Sequence, residues 1–135
     1  MDRNTYMKQH KEISTEIEKI QLLLAENNLE KNVEEIALHI CTLAGKINVH
    51  LSMEDKFMYP KMITSEDEQI KKLALRYQQQ MGGIAERFTS YKDKYNTKQK
   101  IMEHYGEIKA ETQKMFHEIL NRVSKEESEL YLHIQ

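Results

Sequence analysis

Apolar residues recur at spacings of three and four in four long stretches separated by short polar breaks, the pattern of helices that each bury one stripe. The first stretch runs from about Thr5 to about Glu26, with Tyr6, His10, Ile13, Ile17, Ile20 and Leu24 on one face, and the polar residues around Asn27-Asn28 end it. The second begins near Asn32, where Asn32 and Glu35 have capping-box spacing. Its stripe is Ile36, Ile40, Leu43, Ile47, His50 and Glu54, and it is expected to stop near Pro60. Ser65 and Glu68 repeat the capping spacing and start a third helix, with Ile70, Leu73, Tyr77, Gln80, Ile84, Phe88 and Tyr91 inward. After Asn96-Thr97 a fourth covers roughly Thr97 to Tyr131, with Tyr105, Ile108, Thr112, Met115 or Phe116, Ile119, Val123 and Leu130 facing in. Gly106 can split off its first two turns, since an interior glycine costs about 1 kcal/mol relative to alanine.

Four helices joined by short loops predict an all-α, antiparallel, up-down-up-down four-helix bundle. In that topology the starts of the first and third helices share an end with the finishes of the second and fourth. At about 1.5 Å per residue, His50 lies roughly 15 Å before Pro60. An equal run into the third helix reaches Tyr77 to Gln80, and the matching level of the fourth is around Arg122 to Glu127. The polar groups that interrupt the inner stripes therefore fall in one layer.

Composition narrows the class. The chain has 135 residues, four glycines and one proline, which favours helix and reads as one domain spanning 1–135. Twenty basic and 22 acidic residues are interspersed and leave a net charge of -2, with no basic patch to suit nucleic acid. One cysteine, Cys41, excludes an internal disulfide framework and fits a reducing compartment. No apolar leader or membrane-spanning stretch is evident, so a cytoplasmic protein without a membrane partner is expected.

Two segments resemble each other. His50-Leu-Ser-Met-Glu54-Asp55-Lys-Phe-Met58-Tyr59-Pro60 aligns with Arg122-Val-Ser-Lys-Glu126-Glu127-Ser-Glu-Leu130-Tyr131-Leu132, so the bundle reads as two helical hairpins of related design, with His50 opposite Arg122. An HxxxE motif followed by an acidic residue and an aliphatic-Tyr-Pro ending, with a lone histidine on the first helix, resembles the hemerythrin-like (HHE cation-binding) family. The stretch "QMGGIAERFTSYKDKY" resembles a recurring bacterial variant of it. The resemblance spans nearly the whole chain and implies a four-helix bundle around a non-haem, usually di-iron, centre. Carried over residue by residue, His10, His50, Glu54 and Glu126 match metal-ligand positions, and Glu127 matches an alternative carboxylate position one step later. The chain departs from the family by lacking histidines on the third helix, where Tyr77 and Gln78 to Gln80 stand, and by carrying Arg122 in place of a histidine. Two histidines and two or three carboxylates remain, a set for one metal or for two with carboxylate bridges. Iron is expected, and another divalent metal is compatible.

Each of these residues also has a plainer reading. His50 and Glu54 can form a hydrogen-bonded polar pair, and His10 can be a satisfied core histidine. Arg122 can neutralise Glu126 or Glu54 in the place of a metal, which makes the chain a metal-free helical interaction module. Gln80 is expected in a polar slot of the core, Gly82-Gly83 at a close approach or kink, and Cys41 among small buried groups. His39, His104, His117 and His133 read as surface or flanking residues. The resemblance implies oxygen, nitric oxide or redox sensing, or iron handling, by a binding protein rather than an enzyme. A small diatomic would be the ligand, and a protein partner or homo-oligomer would carry the output.

Overall fold

The computed structural model describes residues 3–134, which are helical with no strand among them. The first helix, α1, is Arg3–Ala25, close to its predicted span. A 3-10 turn, Leu29–Asn32, leads into α2, Val33–Met53. Asn32 does not cap α2 through its side chain; its amide donates to Glu26 Oε2 at 2.7 Å and to the Leu23 carbonyl at 3.4 Å, tying the loop to α1.

Pro60 does not end the second helical stretch. The backbone widens into a π turn, Glu54–Met58, and returns to α geometry as α3, Tyr59–Ile63. Pro60 falls in the first turn of α3, where a missing N–H and a fixed φ are tolerated. The next helix is capped by Asp67, whose carboxylate accepts the Gln69 N–H at 2.9 Å, and not by Ser65, whose hydroxyl accepts the Asp67 N–H at 3.1 Å. That helix is α4, Glu68–Met81, and it resumes beyond Gly82-Gly83 as α5, Ile84–Tyr95. A Cβ on Gly82 would stand 2.9 Å from the Gln78 carbonyl oxygen, so the bend needs glycine there. Thr97 caps α6, Lys98–Glu103, by accepting the Lys100 N–H at 3.1 Å. The chain breaks around Gly106, as predicted, and continues as α7, Ile108–Lys125. A second π turn, Glu126–Leu130, and a 3-10 turn, Tyr131–His133, complete it.

Long-range pairs give the topology. Along α1 and α2, Tyr6 meets Met53, His10 meets His50, and Glu16 meets Lys46, so one helix advances as the other retreats. Arg87 with Glu118 and Tyr91 with Thr112 give the same antiparallel relation for α5 and α7. With α2 on α5 and α1 on α7, the ring of an up-down-up-down bundle closes. Its interior is aliphatic in the middle, with Ile17, Ile20, Ile36, Ile40 and Leu43 all fully buried, and tyrosine-rich towards the end where α2 and α7 finish.

Three inward assignments are corrected. Tyr105 is 39 % exposed because it sits in the break around Gly106, where the helical phase is lost. Gln80 is exposed in the last turn before the Gly82 bend, where Ala74 and Tyr77 already form the buried face of α4. Cys41, one position past buried Ile40, faces outward and is exposed. No helix of the described residues is long and apolar enough to cross a membrane.

The core predicts a contrast between two leucines of α2. Leu43→Ala, at a site with no exposure, should cost about 2–5 kcal/mol of unfolding free energy. Leu38→Ala, at a site 63 % exposed, should stay within about 0.5 kcal/mol in the same denaturant titration.

Candidate metal centre

Four side chains from three helical stretches meet in the tyrosine-rich end of the core. His10 comes from α1, His50 from the last turn of α2, and Glu54 and Glu126 from the first positions of the two π turns. All four are buried, and one donor atom from each lies within 4.8 Å of every other. His10 Nε2 is 3.0 Å from His50 Nε2 and 3.1 Å from Glu126 Oε1. His50 Nε2 is 3.3 Å from Glu54 Oε1 and 3.7 Å from Glu126 Oε1. Of the residues expected in one layer, the structure brings together His10, His50, Glu54 and Glu126.

Glu127 stands apart from that cluster. It approaches His10 from the outer side, with Oε1 3.2 Å from Nδ1, and is about one-third exposed. Gln9 does the same for the second imidazole, accepting the His50 Nδ1–H through Oε1 at 2.8 Å while its amide donates to Met53 Sδ at 2.8 Å. Each ring thus has a partner for Nδ1 and turns Nε2 towards the common centre. An outer hydrogen bond that fixes the tautomer and orientation of an imidazole is the usual support of a metal-ligating histidine.

Arg122, which aligns with His50 in the internal repeat, also contacts both carboxylates. Its terminal nitrogen donates to Glu54 Oε1 at 3.3 Å and its Nε to Glu126 Oε2 at 3.4 Å. Nearby, Asp55, Tyr59, Gly82 and Arg122 help to line a cavity of about 360 Å³. Tyr77, on the third helix, is buried but turns away from the histidines, donating to the Lys125 carbonyl at 2.9 Å and to Glu129 Oε2 at 2.5 Å. Gln78, Gln79 and Gln80 are exposed.

Tyr131 belongs to the site and was not legible as part of it. It is fully buried, with its hydroxyl 2.9 Å from His10 Nε2, 3.4 Å from His50 Nε2 and 2.8 Å from Glu54 Oε2, to which it donates. Under a strict α period Leu130 faces inward and Tyr131 does not. The π turn closes its hydrogen bond between the Tyr131 N–H and the Glu126 carbonyl, five residues apart, and so sets Tyr131 above Glu126. The Tyr59 N–H closes on the Glu54 carbonyl in the same way. The signal was in the internal repeat, which aligns Glu54 with Glu126 and Tyr59 with Tyr131.

The charges are strongly coupled. Burial opposes a charge on His50, but hydrogen bonds to Glu126 and Glu54, and their charges, outweigh it and raise the imidazole from 6.5 to about 9. Burial and the neighbouring Glu126 raise Glu54 above the ordinary carboxyl range. Burial also opposes charge on Glu126, yet hydrogen bonds from His10 and His50 and the Arg122 charge hold its carboxyl far below that range. The metal-free centre is thus held together by a proton on the imidazole side and a guanidinium on the other.

The donor set passes a simple test of fit to a metal. The inner contacts are close approaches among two imidazole nitrogens, two carboxylates and a phenol oxygen, each of which can bind a cation through a lone pair. Two imidazoles with two carboxylates converging at one buried point are a donor set that suits iron, manganese or zinc.

A second His–Glu contact lies farther along α1 and α2. Glu16 is buried between His39, through Nδ1, and Lys46, whose Nζ is 3.1 Å from Glu16 Oε2. His39, read from sequence as a flanking residue, is instead a partner for a buried carboxylate.

Compared with protein families, residues 1–134 match the Hemerythrin HHE cation binding domain. Neither the curated proteins nor the solved structures gave a match. Hemerythrin-like domains bind metal, typically iron, and the buried His/Glu group of this chain could hold a metal ion. With the helical bundle in place and the match covering all but the last residue, the chain belongs to the hemerythrin HHE cation-binding family.

Proposed function

We propose that residues 1–135 form a single hemerythrin-like domain that binds one non-haem iron ion through His10, His50, Glu54 and Glu126, and that it works in nitric oxide or redox sensing. The observation that carries this reading is the convergence of four buried donor atoms within 4.8 Å of one another. Glu127 and Gln9 orient the two imidazoles from outside rather than serving as ligands. Iron, when bound, supplies a redox-active centre with affinity for small diatomic molecules.

Arg122 supports a count of one. Two of its contacts fall on Glu54 Oε1, which it shares with His50, and on Glu126 Oε2, so a fixed cation already draws on both carboxylates. A guanidinium there offsets negative charge permanently and presents no lone pair to an ion. A sensor role, rather than turnover, fits a ligand cluster buried on every member and closed over by tyrosines. A signal would then leave through a protein partner or a second copy of the chain.

Protein expressed with iron and purified without chelator should carry about one iron per chain by metal analysis, and His50→Ala should carry almost none. Two irons per chain would defeat the role given to Arg122. Metal-free protein whose melting temperature ignores added metal would instead support the second reading, a helical interaction module in which Arg122 has taken over charge neutralisation.

The imidazole proton gives a pH-dependent test. A group with a raised folded pKa contributes stability that is complete below its unfolded value, about 6.5. That contribution fades as pH rises through the folded value of about 9. The metal-free protein should therefore lose up to about 3 kcal/mol between those limits. Metal binding must displace the same proton, so zinc affinity in a competition titration should keep rising between pH 7 and 9. An affinity that levels off at neutral pH, as for ordinary histidines, would overturn this account.

A further inference from the structure

We propose that Tyr131 is itself a metal ligand, bound through its phenolate oxygen, and that it makes this centre one for ferric iron. The inference rests on the metal-binding reading above and extends it to a residue outside the two-histidine, two-carboxylate set.

Its basis is position. A tyrosine that merely supports a metal site donates to one ligand from outside. The Tyr131 hydroxyl oxygen lies 2.9 Å from one imidazole nitrogen, 3.4 Å from the other and 2.8 Å from Glu54 Oε2, so it stands among the donors. Donors that surround one ion at about 2.0–2.2 Å stand roughly 3 Å from each other. The contacts of Tyr131 have that spacing, as do those between His10, His50 and Glu126. A hydroxyl has one hydrogen and so satisfies only one of its three neighbours as a donor.

The ring has little freedom to leave. It stacks on His10 with centroids 5.1 Å apart and planes at 26°, and packs on Tyr6 at 5.6 Å and 31°. The π turn fixes its register from below by closing Tyr131 onto Glu126. Tyr59 offers an internal contrast. It occupies the equivalent place in the repeat and is equally buried, yet its hydroxyl has no hydrogen-bond partner and no imidazole beside it.

Charge selects the oxidation state. Two carboxylates and a phenolate supply three negative charges, of which Arg122 offsets one, and hard anionic oxygen donors favour the harder, more highly charged ion. When ferric iron binds, the Tyr131 O–H bond breaks, an iron–oxygen bond forms, and the proton leaves to solvent. Iron supplied in the ferric state keeps its oxidation state throughout.

The test loads metal-free protein with ferric citrate and measures bound iron, the visible absorption spectrum and resonance Raman scattering. Wild-type protein should bind about one ferric ion and become coloured through a phenolate-to-iron charge-transfer band with tyrosinate ring modes. Tyr131→Phe, which keeps the ring packing, should retain its helical circular dichroism, lose the band, and bind ferric iron at least about tenfold more weakly, the lower bound for loss of an outer-shell partner. Tyr59→Phe should keep the band. Stoichiometric ferric iron without the band, or a band that survives in Tyr131→Phe, overturns the proposal while leaving the metal site standing. Failure of the wild type to take up iron overturns both.

Discussion

Two glutamates face each other in the core of this bundle, and most of the local architecture answers the demand they make. Taking a carboxylate out of water costs several kcal/mol unless charge and hydrogen bonds are returned to it. Glu54 and Glu126 are buried at the same level, so they also repel each other. The metal-free protein meets this from two sides, with the His50 proton on one and the Arg122 guanidinium on the other. Apolar packing of the kind seen at Ile36 and Leu43 offers nothing equivalent, which is why the aliphatic core gives way to histidine, arginine and tyrosine at this end.

The two π turns belong to the same response. Each begins at one of the glutamates, and each carries a tyrosine five residues on to the level of its carboxylate. Proline does not cause the widening, because Glu126–Leu130 forms the same turn with Leu132 where Pro60 stands in the first copy. A wide turn is less favourable than an α turn and persists where the surroundings over-determine it, often at functional sites. In the second turn the gain is the Tyr131 hydroxyl, which reaches the buried Glu54 carboxylate, whereas the Tyr59 hydroxyl of the first makes no hydrogen bond among the described residues.

This separates what was legible in the chain from what was not. The bundle, its antiparallel order and the layer shared by His10, His50, Glu54 and the stretch from Arg122 to Glu127 follow from a period of 3.6 residues and helix lengths. Beyond the first residue of each π turn that period no longer holds, so Tyr131 was hidden while Leu130 was placed correctly. Choosing between Glu126 and Glu127 needed the third dimension: adjacent residues point to different sides of His10, one to Nε2 and one to Nδ1. Tyr105 and Gln80 failed for a related reason, since both lie at glycine breaks where a stripe loses its phase. Cys41 needed only the helical period, which puts the neighbour of a fully buried isoleucine outside.

The Glu16 cluster shows that a buried glutamate beside a histidine does not by itself make a metal site. Glu16 also lies between α1 and α2 and also contacts an imidazole, but Lys46 reaches it and Lys19 stands 4.0 Å away. Lysine stems long enough to reach in from the surface neutralise the carboxylate and leave no lone pairs in want of a cation. At the end of the bundle no lysine reaches Glu54 or Glu126 in the described contacts, and the fixed cation, Arg122, contacts Glu54 Oε1 and Glu126 Oε2. The remaining oxygens, Glu126 Oε1 and Glu54 Oε2, face two imidazole nitrogens and a phenol. The repeat thus places a histidine in one copy and an arginine in the other at equivalent positions, so that one half of the site offers lone pairs and the other offers charge. On the proposed reading this asymmetry sets both the number of ions and their location, because an ion can replace a proton but cannot replace a guanidinium.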